Sequence, residues 1–455
     1  MPIIRSISGL RATLSDFLTP EVISKYVLSF SYLLPEGPIV VGRDGRPSGQ
    51  WIEQVIVGSL ISAGREVFIL GTAPTPTVQL MTELSEAVGG IAITASHNPK
   101  EWNGLKFIDS NGVFLDIDAN SKLWEHYDNF KFLPPSSDIY YKSVSMMNAI
   151  DDHIDNILTI PVVSNGSFIQ KLADKRYKVV VDAVNASGSV AIPLLLRKLG
   201  CQVIPLHCDG SGVFPHAPEP LTENLIELAQ AVKNNKADLG IAVDPDADRL
   251  VLIDENGEAI GEEKTICLAI EAVLSNFSAF EIGVEPSVVV NLSTTRLAKD
   301  IADKYLAKFH RSPVGEINVI KKMIEVDAVV GGEGSGGVIL PTCHYGRDSL
   351  VGTALILFLM VKRNQTLSQI VDSMPKYHMI KYKQNFSGSF AELIEKAKAE
   401  FPEAEINLED GIRIDFAKSW VQMRTSNTEP IIRIIAEAPE LSEAQNLIHK
   451  LKSLI

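Results

Sequence analysis

The chain has 455 residues, 45% of them hydrophobic and 22% charged, with a net charge of −14. That length exceeds what one hydrophobic core organises and suggests three or four domains of about 150 residues each. The acidic balance excludes a broad nucleic-acid-binding face, which needs clustered positive charge, and apolar segments recurring along the whole length exclude a disordered chain.

Met1-Pro2-Ile3-Ile4-Arg5 lacks the long apolar stretch of a signal peptide. The longest apolar run, around Ala354 to Val361, falls well short of the roughly 20 residues that span a bilayer and predicts a buried helix instead. Cys201, Cys208, Cys267 and Cys343 form no CxxC pair and read as free thiols of a reducing compartment. A cytoplasmic protein with no membrane partner is expected.

In chain order, Ile39 to Val41 predicts a short buried strand. It runs into the polar loop Gly42 to Gly49, a helix through Ile61 and a second strand at Glu66 to Leu70. Lys178 to Asp182 repeats the pattern, with a loop at Ala183 to Ser189, a helix through Leu199 and a strand at Gln202 to Leu206. Ser287 to Asn291 repeats it again, with the loop Ser293-Thr294-Thr295 and a helix through Phe309. Strand, loop, helix, strand is the order that builds parallel sheet with right-handed crossovers, so three related α/β domains are expected. Gly411 to Phe416 and Ile431 to Glu437 then predict strands, and Leu441 to Ile455 an amphipathic terminal helix, which fits a small α+β fourth domain. Leu133 to Ser137 reads as a loop, and Asn256-Gly257 as a hairpin turn after Val251 to Ile253. The expected domains are 1–150, 151–257, 258–367 and 368–455.

Four loops carry the chemistry. Thr94-Ala95-Ser96-His97-Asn98-Pro99 follows the strand-like Gly89 to Ile93. It reads either as a Ser/Asn turn or as a site where Ser96 is a nucleophile or phosphate carrier with His97 beside it. Asp244-Pro245-Asp246-Ala247-Asp248-Arg249 places three carboxylates at alternating positions after the strand Asp238 to Val243. Like charges so close call for a hard dication with oxygen ligands, Mg²⁺ or Ca²⁺, and the short spacing favours Mg²⁺. Pro245 excludes a helix interior, so the other reading is an acidic surface turn. Arg249 adjoins the carboxylates and could reach a phosphate.

Gly331 to Gly337, after a strand expected at Asp327 to Val330, matches neither the dinucleotide fingerprint nor the P-loop. Its lone acid, Glu333, suits sugar hydroxyls, although a flexible turn has the same composition. Arg424-Thr425-Ser426-Asn427-Thr428-Glu429-Pro430, with Arg433 on the next strand, reads as a phosphate cradle or as an Asn/Ser turn. One such loop per domain suggests four domains facing one cleft.

With these residues the chain resembles the α-D-phosphohexomutase family, which includes phosphoglucomutases, phosphomannomutases and phosphoglucosamine mutases. The succession of Ser-His-Asn-Pro and Asp-x-Asp-x-Asp-Arg carries the resemblance, which covers essentially the whole chain. It implies three α/β domains with mixed sheets and a C-terminal α+β domain around a central active-site cleft. It also implies Ser96 as the phosphoserine, with Mg²⁺ held by Asp244, Asp246, Asp248 and the phosphoserine oxygen. Lys106, in Asn103-Gly104-Leu105-Lys106, matches the general acid/base, which would need a pKa lowered by nearby cations. Arg11, in Ser8-Gly9-Leu10-Arg11, matches an arginine that reaches the active site. Glu333 and Ser335 match the sugar loop, and Arg424, Ser426, Asn427 and Thr428 the loop for the non-reacting phosphate.

Gly337 stands where many members of the family carry His, so His344 and Arg347 become the candidates to take over its task. The resemblance implies a hexose phosphate as substrate, glucosamine 6-phosphate before the glucose and mannose phosphates, with a hexose 1,6-bisphosphate as intermediate and activator. A monomer or homodimer is expected. The rival readings are a metal-dependent sugar phosphatase and a non-catalytic sugar-phosphate binder.

Overall fold

The computed structural model describes residues 3–7, 9–14, 17–133, 142–146, 148–164, 166–277, 285–425 and 431–455. Ile39-Val40-Val41, Val179-Val180-Val181 and Val288-Val289-Val290 are completely buried. Such a run is the signature of a central parallel strand, covered on both faces.

The first sheet holds β1 (Ile4–Ser6), β2 (Gly9–Thr13), β3 (Ile39–Arg43), β4 (Val67–Thr72), β5 (Gly89–Ile93), β6 (Trp102–Asp109) and β7 (Ser143–Ser145), in the order β1-β2-β6-β5-β3-β4-β7. The second holds β8 (Lys178–Asp182), β9 (Gln202–Leu206), β10 (Leu239–Val243) and β11 (Leu250–Ile253), in the order β11-β10-β8-β9. The third holds β12 (Ser287–Asn291), β13 (Lys308–Ser312), β14 (Val330–Glu333), β15 (Gly337–Leu340) and β16 (His344–Arg347), in the order β13-β12-β14-β15-β16. The fourth sheet is antiparallel throughout. It holds β17 (His378–Asn385), β18 (Glu405–Asn407), β19 (Ile412–Asp415), β20 (Trp420–Thr425) and β21 (Ile431–Ala438), in the order β17-β21-β20-β19-β18.

The first three sheets share one plan. A central strand (β3, β8, β12) pairs in parallel on both sides. The later of its two neighbours (β5, β10, β14) then turns back into an antiparallel partner (β6, β11, β15). The three turns are equivalent positions, and they carry Ser96, the three aspartates and the glycine loop. The expected mixed-sheet α/β domains and C-terminal α+β domain are what the chain forms.

Local differences from the sequence reading have physical causes. The helix expected through Phe309 stops at Lys304, because Leu306 turns left-handed (φ 57°) and Phe309 joins β13 beside β12. The third loop is shorter than expected, since β14 runs to Glu333 and takes in Gly331 and Gly332. A side chain at Gly331 would collide with Met323 and one at Gly332 with the carbonyl of Gly337, so packing rather than flexibility calls for these glycines. Arg424, expected in a loop, lies on β20. The terminal helix ends at Lys452. Beyond Leu133, the loop expected through Ser137 lies outside the described residues.

The apolar run at 354–361 sits in the helix Ser349–Arg363, which is buried continuously from Ser349 to Val361. Asp348 caps it by accepting from Leu350 N (2.7 Å) and Val351 N (3.3 Å). This helix belongs to a single core that unites the second and third domains, containing Val179, Val290 and Leu359 together. The first and fourth domains keep cores of their own. No helix among the described residues is long and apolar enough to cross a membrane.

Candidate active site

Ser96 follows β5 in a left-handed conformation (φ 50°) and is fully buried. A non-glycine residue holds that conformation only where its surroundings over-determine it. Here they do. Ser96 N donates to Thr94 Oγ1 (2.8 Å), and Thr94 Oγ1 donates to Asp44 Oδ2 (2.8 Å). Asp44 also accepts from Arg46 Nε (2.8 Å). The Arg46 guanidinium then donates to the carbonyls of Ser96, Asn98 (2.8 Å), Pro99 (2.9 Å) and Trp102 (3.2 Å). One buried arginine thus ties down the backbone of the whole serine loop. The signal for it in the sequence is Gly42-Arg43-Asp44-Gly45-Arg46, two buried charges at a strand's carboxyl end, to which the sequence reading gave no role.

Opposite Ser96 stands the aspartate loop. Ser96 Oγ donates to Asp244 Oδ2 (3.1 Å), and Asp244 Oδ1 accepts from Arg249 N (3.2 Å). Asp246 Oδ2 accepts from Lys106 Nζ (2.7 Å) and Thr75 Oγ1 (2.9 Å). Asp248 Oδ2 accepts from Lys106 Nζ (3.2 Å) and Arg347 Nη2 (2.5 Å). The loop backbone is braced from three sides: Ser187 Oγ donates to the Pro245 carbonyl (2.7 Å), Ser349 Oγ to the Ala247 carbonyl (2.7 Å), and Leu250 N to the Gly336 carbonyl (2.9 Å).

All three aspartates are buried, and their ligand oxygens lie within 4.8 Å of one another. Asp246 Oδ1 and Asp248 Oδ1 are buried without a hydrogen-bond partner. Burial and the other two carboxylates push Asp244 well above the usual carboxyl range. Two orphaned carboxylate oxygens and a carboxylate held against its charged form fit a bound dication with oxygen ligands.

The cationic groups are placed as follows. Arg11, on β2, donates to Asn98 Oδ1 (3.0 Å). His97 Nδ1 lies 3.4 Å from Ser96 Oγ. Burial and then the neighbouring Arg249 and Arg11 push the His97 pKa down to about 2, so its imidazole is neutral. Burial lowers the Lys106 pKa, but Asp246 and Asp248 outweigh it and the net shift is upward. The lowered pKa that the general-base reading required is therefore not the one this arrangement produces, because carboxylates rather than cations touch its ammonium.

Arg347 joins the metal loop to the sugar loop. Its guanidinium bonds Asp248, Glu333 Oε2 (2.6 Å) and Glu316 Oε2 (3.0 Å). Glu316 in turn accepts from Gln79 Nε2 of the first domain (3.3 Å). A Cβ at Gly337 would collide with the Arg347 side chain. The glycine that replaces the family's usual His is thus the partner of Arg347, whose side chain fills the space. His344 lies elsewhere. Its Nε2 bonds Asp348 Oδ2 (3.1 Å), which His153 Nε2 also bonds (2.8 Å), in a buried cluster that does not line the cleft.

A cleft of about 740 Å³ lies between the four domains, lined by His97, Arg249, Glu333, Ser335, Arg347, Arg424 and Arg433 among others. Glu333 Oε1 is oriented by Asn291 Nδ2 (2.8 Å) and Gly315 N (3.1 Å). On the fourth domain Lys383, Arg433 and Arg424 sit directly opposite one another across β17, β21 and β20, and all three line the cleft. Like charges so paired are unfavourable until an anion joins them. Ser426, Asn427 and Thr428 lie outside the described residues. Thr75, Glu316, Gln79, Asn291 and Lys383 were not found by sequence reasoning. Each is remote in the chain from the motif it supports, and no local pattern marks it.

Profiles of the phosphoglucomutase/phosphomannomutase family match in succession: alpha/beta/alpha domain I at 3–133, domain II at 151–257, domain III at 262–377 and the C-terminal domain at 386–453. The chain is 36% identical over 448 residues to a phosphoglucomutase/phosphomannomutase of Thermococcus kodakarensis, covering 97% of this chain and 95% of that one. It is 30% identical over 454 residues to a phosphoglucosamine/phosphogalactosamine mutase of Sulfurisphaera tokodaii, covering 98% of each. Its fold superposes with a TM-score of 0.83, at 24% identity, on a phosphoglucomutase/phosphomannomutase family protein of Burkholderia thailandensis, covering 99% of this chain and 97% of that one. Four profiles in order over nearly the whole length, together with the serine and aspartate loops in contact, establish that the chain belongs to the α-D-phosphohexomutase family and is a phosphohexomutase.

Proposed function

We propose that this enzyme interconverts the 1- and 6-phosphates of a hexose, with Ser96 as the phosphate carrier and glucosamine phosphates as the preferred substrates. The observation that carries the carrier role is Ser96 Oγ at 3.1 Å from Asp244, on a loop whose backbone Arg46 holds rigid. In the forward step the bond between phosphorus and Ser96 Oγ breaks, and a bond to a sugar hydroxyl oxygen forms. Lys106 gives its proton to the departing Ser96 Oγ and takes up the hydroxyl proton in its place, and a hexose bisphosphate results. The sugar turns end for end, and its other phosphate returns to Ser96 by the reverse step.

Asp244, Asp246 and Asp248 would hold Mg²⁺, which supplies charge stabilisation for the transferring phosphoryl group. Arg249 and Arg11 add fixed positive charge beside Ser96. Lys106 carries a proton between Asp246 and Asp248 and is the donor to the departing oxygen. Glu333, oriented by Arg347 and Asn291, receives sugar hydroxyls next to Ser335. Lys383, Arg433 and Arg424 hold the phosphate that is not reacting.

The Sulfurisphaera relative, a phosphoglucosamine/phosphogalactosamine mutase, supports the amino-sugar reading. Glucose or mannose phosphates are the second reading, favoured by the Thermococcus relative. The test is kcat/KM across the 1- and 6-phosphates of glucosamine, glucose and mannose, with Mg²⁺ and a hexose 1,6-bisphosphate present. A preference for glucosamine of tenfold, about 1.4 kcal/mol of differential transition-state binding, is expected. Equal or faster turnover of glucose or mannose phosphates overturns the amino-sugar reading. Release of inorganic phosphate without isomerisation overturns the mutase mechanism itself.

A further inference from the structure

Asp182 ends β8, and its Oδ1 accepts from Val184 N (3.0 Å). Its Oδ2 lies 3.0 Å from His216 Nε2, and the other ring nitrogen of His216 lies 2.8 Å from the Ala217 carbonyl. Both partners of His216 are acceptors only. A neutral imidazole has one N–H to give. With that proton on the carbonyl side, the Nε2 lone pair and the Asp182 carboxylate face each other across a gap that calls for a cation. His207 completes the group, its ring centroid 5.6 Å from that of His216. It is held in a left-handed conformation (φ 51°) by Asn185 N donating to its carbonyl (2.7 Å). Ligand atoms of Asp182, His207 and His216 lie within 4.8 Å of one another.

We propose that Asp182, His207 and His216 form a second metal site, selective for a borderline ion of the Zn²⁺ type and distinct from the aspartate loop. Two imidazoles and one carboxylate suit Zn²⁺, whereas the all-oxygen set at Asp244, Asp246 and Asp248 suits a hard ion. The buried group at His153, His344 and Asp348 makes the contrast. There both Nε2 atoms donate to Asp348 and Thr77 supplies a hydroxyl to His153, so neutral rings satisfy every contact with Asp348.

The task of the site follows from what its loop touches. From His207 the chain runs through Val213, whose carbonyl accepts from Asn185 Nδ2 (3.0 Å), to Phe214, whose ring centroid lies 4.9 Å from the Arg46 guanidinium. It ends at Glu219, 3.5 Å from Arg249 and 3.8 Å from His97. A metal bridging β8 to both ends of the His207–His216 loop braces the segment that backs the serine-loop clamp.

The chelator-stripped full-length protein is dialysed against micromolar Zn²⁺ in millimolar Mg²⁺, and retained zinc is measured per chain. About one equivalent is expected in the unaltered chain. It is expected to persist in Asp244→Asn and to be lost in His216→Gln and His207→Asn, together with any Zn²⁺-dependent rise in Tm. Co²⁺ in place of Zn²⁺ should give the visible absorption of a low-coordinate, histidine-ligated ion, a readout that needs no variant. No retained zinc, zinc retained equally by both histidine variants, or a Co²⁺ spectrum without that absorption overturns the site and leaves a protonated His216 paired with Asp182.

Discussion

Around Ser96, the two orphaned aspartate oxygens apart, the cations are bound in place: Arg46 closes four carbonyls, Lys106 bridges two aspartates and Arg347 binds three carboxylates. On the fourth domain the cations stand side by side instead. Among the described residues Arg424 pairs only with Asp410, at 3.6 Å, and Lys383 and Arg433 have no ion-pair partner. The packing differs in the same sense. The second and third domains share a core, whereas the fourth keeps its own and meets the third through polar contacts such as Ser293 Oγ to Gln422 (2.7 Å) and Lys381 to Glu262 (2.9 Å). Groups that stabilise a transition state gain from being fixed beforehand. Groups that must accept either end of a turning bisphosphate gain from being left unpaired, on a domain free to adjust.

Substitutions on the two sides should therefore fail differently. The largest effect is expected from Ser96→Ala, which should cut turnover by at least roughly 10⁴-fold while calorimetry still detects sugar-phosphate binding. Substantial residual mutase activity would remove the carrier role. Lys106→Met should lower kcat by about 10²- to 10⁴-fold, and an unchanged kcat would make the lysine a structural counter-charge only.

Arg347→Met leaves Glu316 and Glu333 as buried carboxylates without a cation, and Asp248 with Lys106 and Arg249 only. It should lose about 3–5 kcal/mol of stability, read by denaturant unfolding, and a small loss would show that the rigid side is less interlocked than its geometry. Arg424→Ala should raise KM about tenfold with little change in kcat, and a fall in kcat alone would break the distinction between the two sides.

The smallest expected effect is a pH slope at the joint between the third and fourth domains. Burial pushes the Glu263 carboxyl up to about 7 against the pull of Lys381. The unfolded chain therefore ionises it first, near its ordinary value of 4.5, while the folded chain keeps the proton. The stability associated with Glu263 should fall as pH rises from 4.5 to about 7, and Glu263→Gln should flatten that slope in thermal unfolding.

The sequence announced what is local. Ser96 and the three aspartates stand in short motifs after recognisable strands, so both loops and the three α/β repeats were legible. The supports were not, because Arg46, Thr75 and Glu316 act on atoms far away in the chain and take their meaning only from the folded contact. Gly337 shows the limit most clearly. Its departure from the family pattern was visible, yet its cause, the volume of Arg347, is a matter of packing.

The Arg46 clamp has a consequence for how the enzyme's history can be read. It grips the serine loop by its carbonyl oxygens and leaves Ser96 Oγ alone to gain or lose a substituent. Charged and spent enzyme should then share one backbone and differ only in local charge. Priming becomes a matter of occupancy rather than shape, so a resting population can hold both forms without any refolding between them.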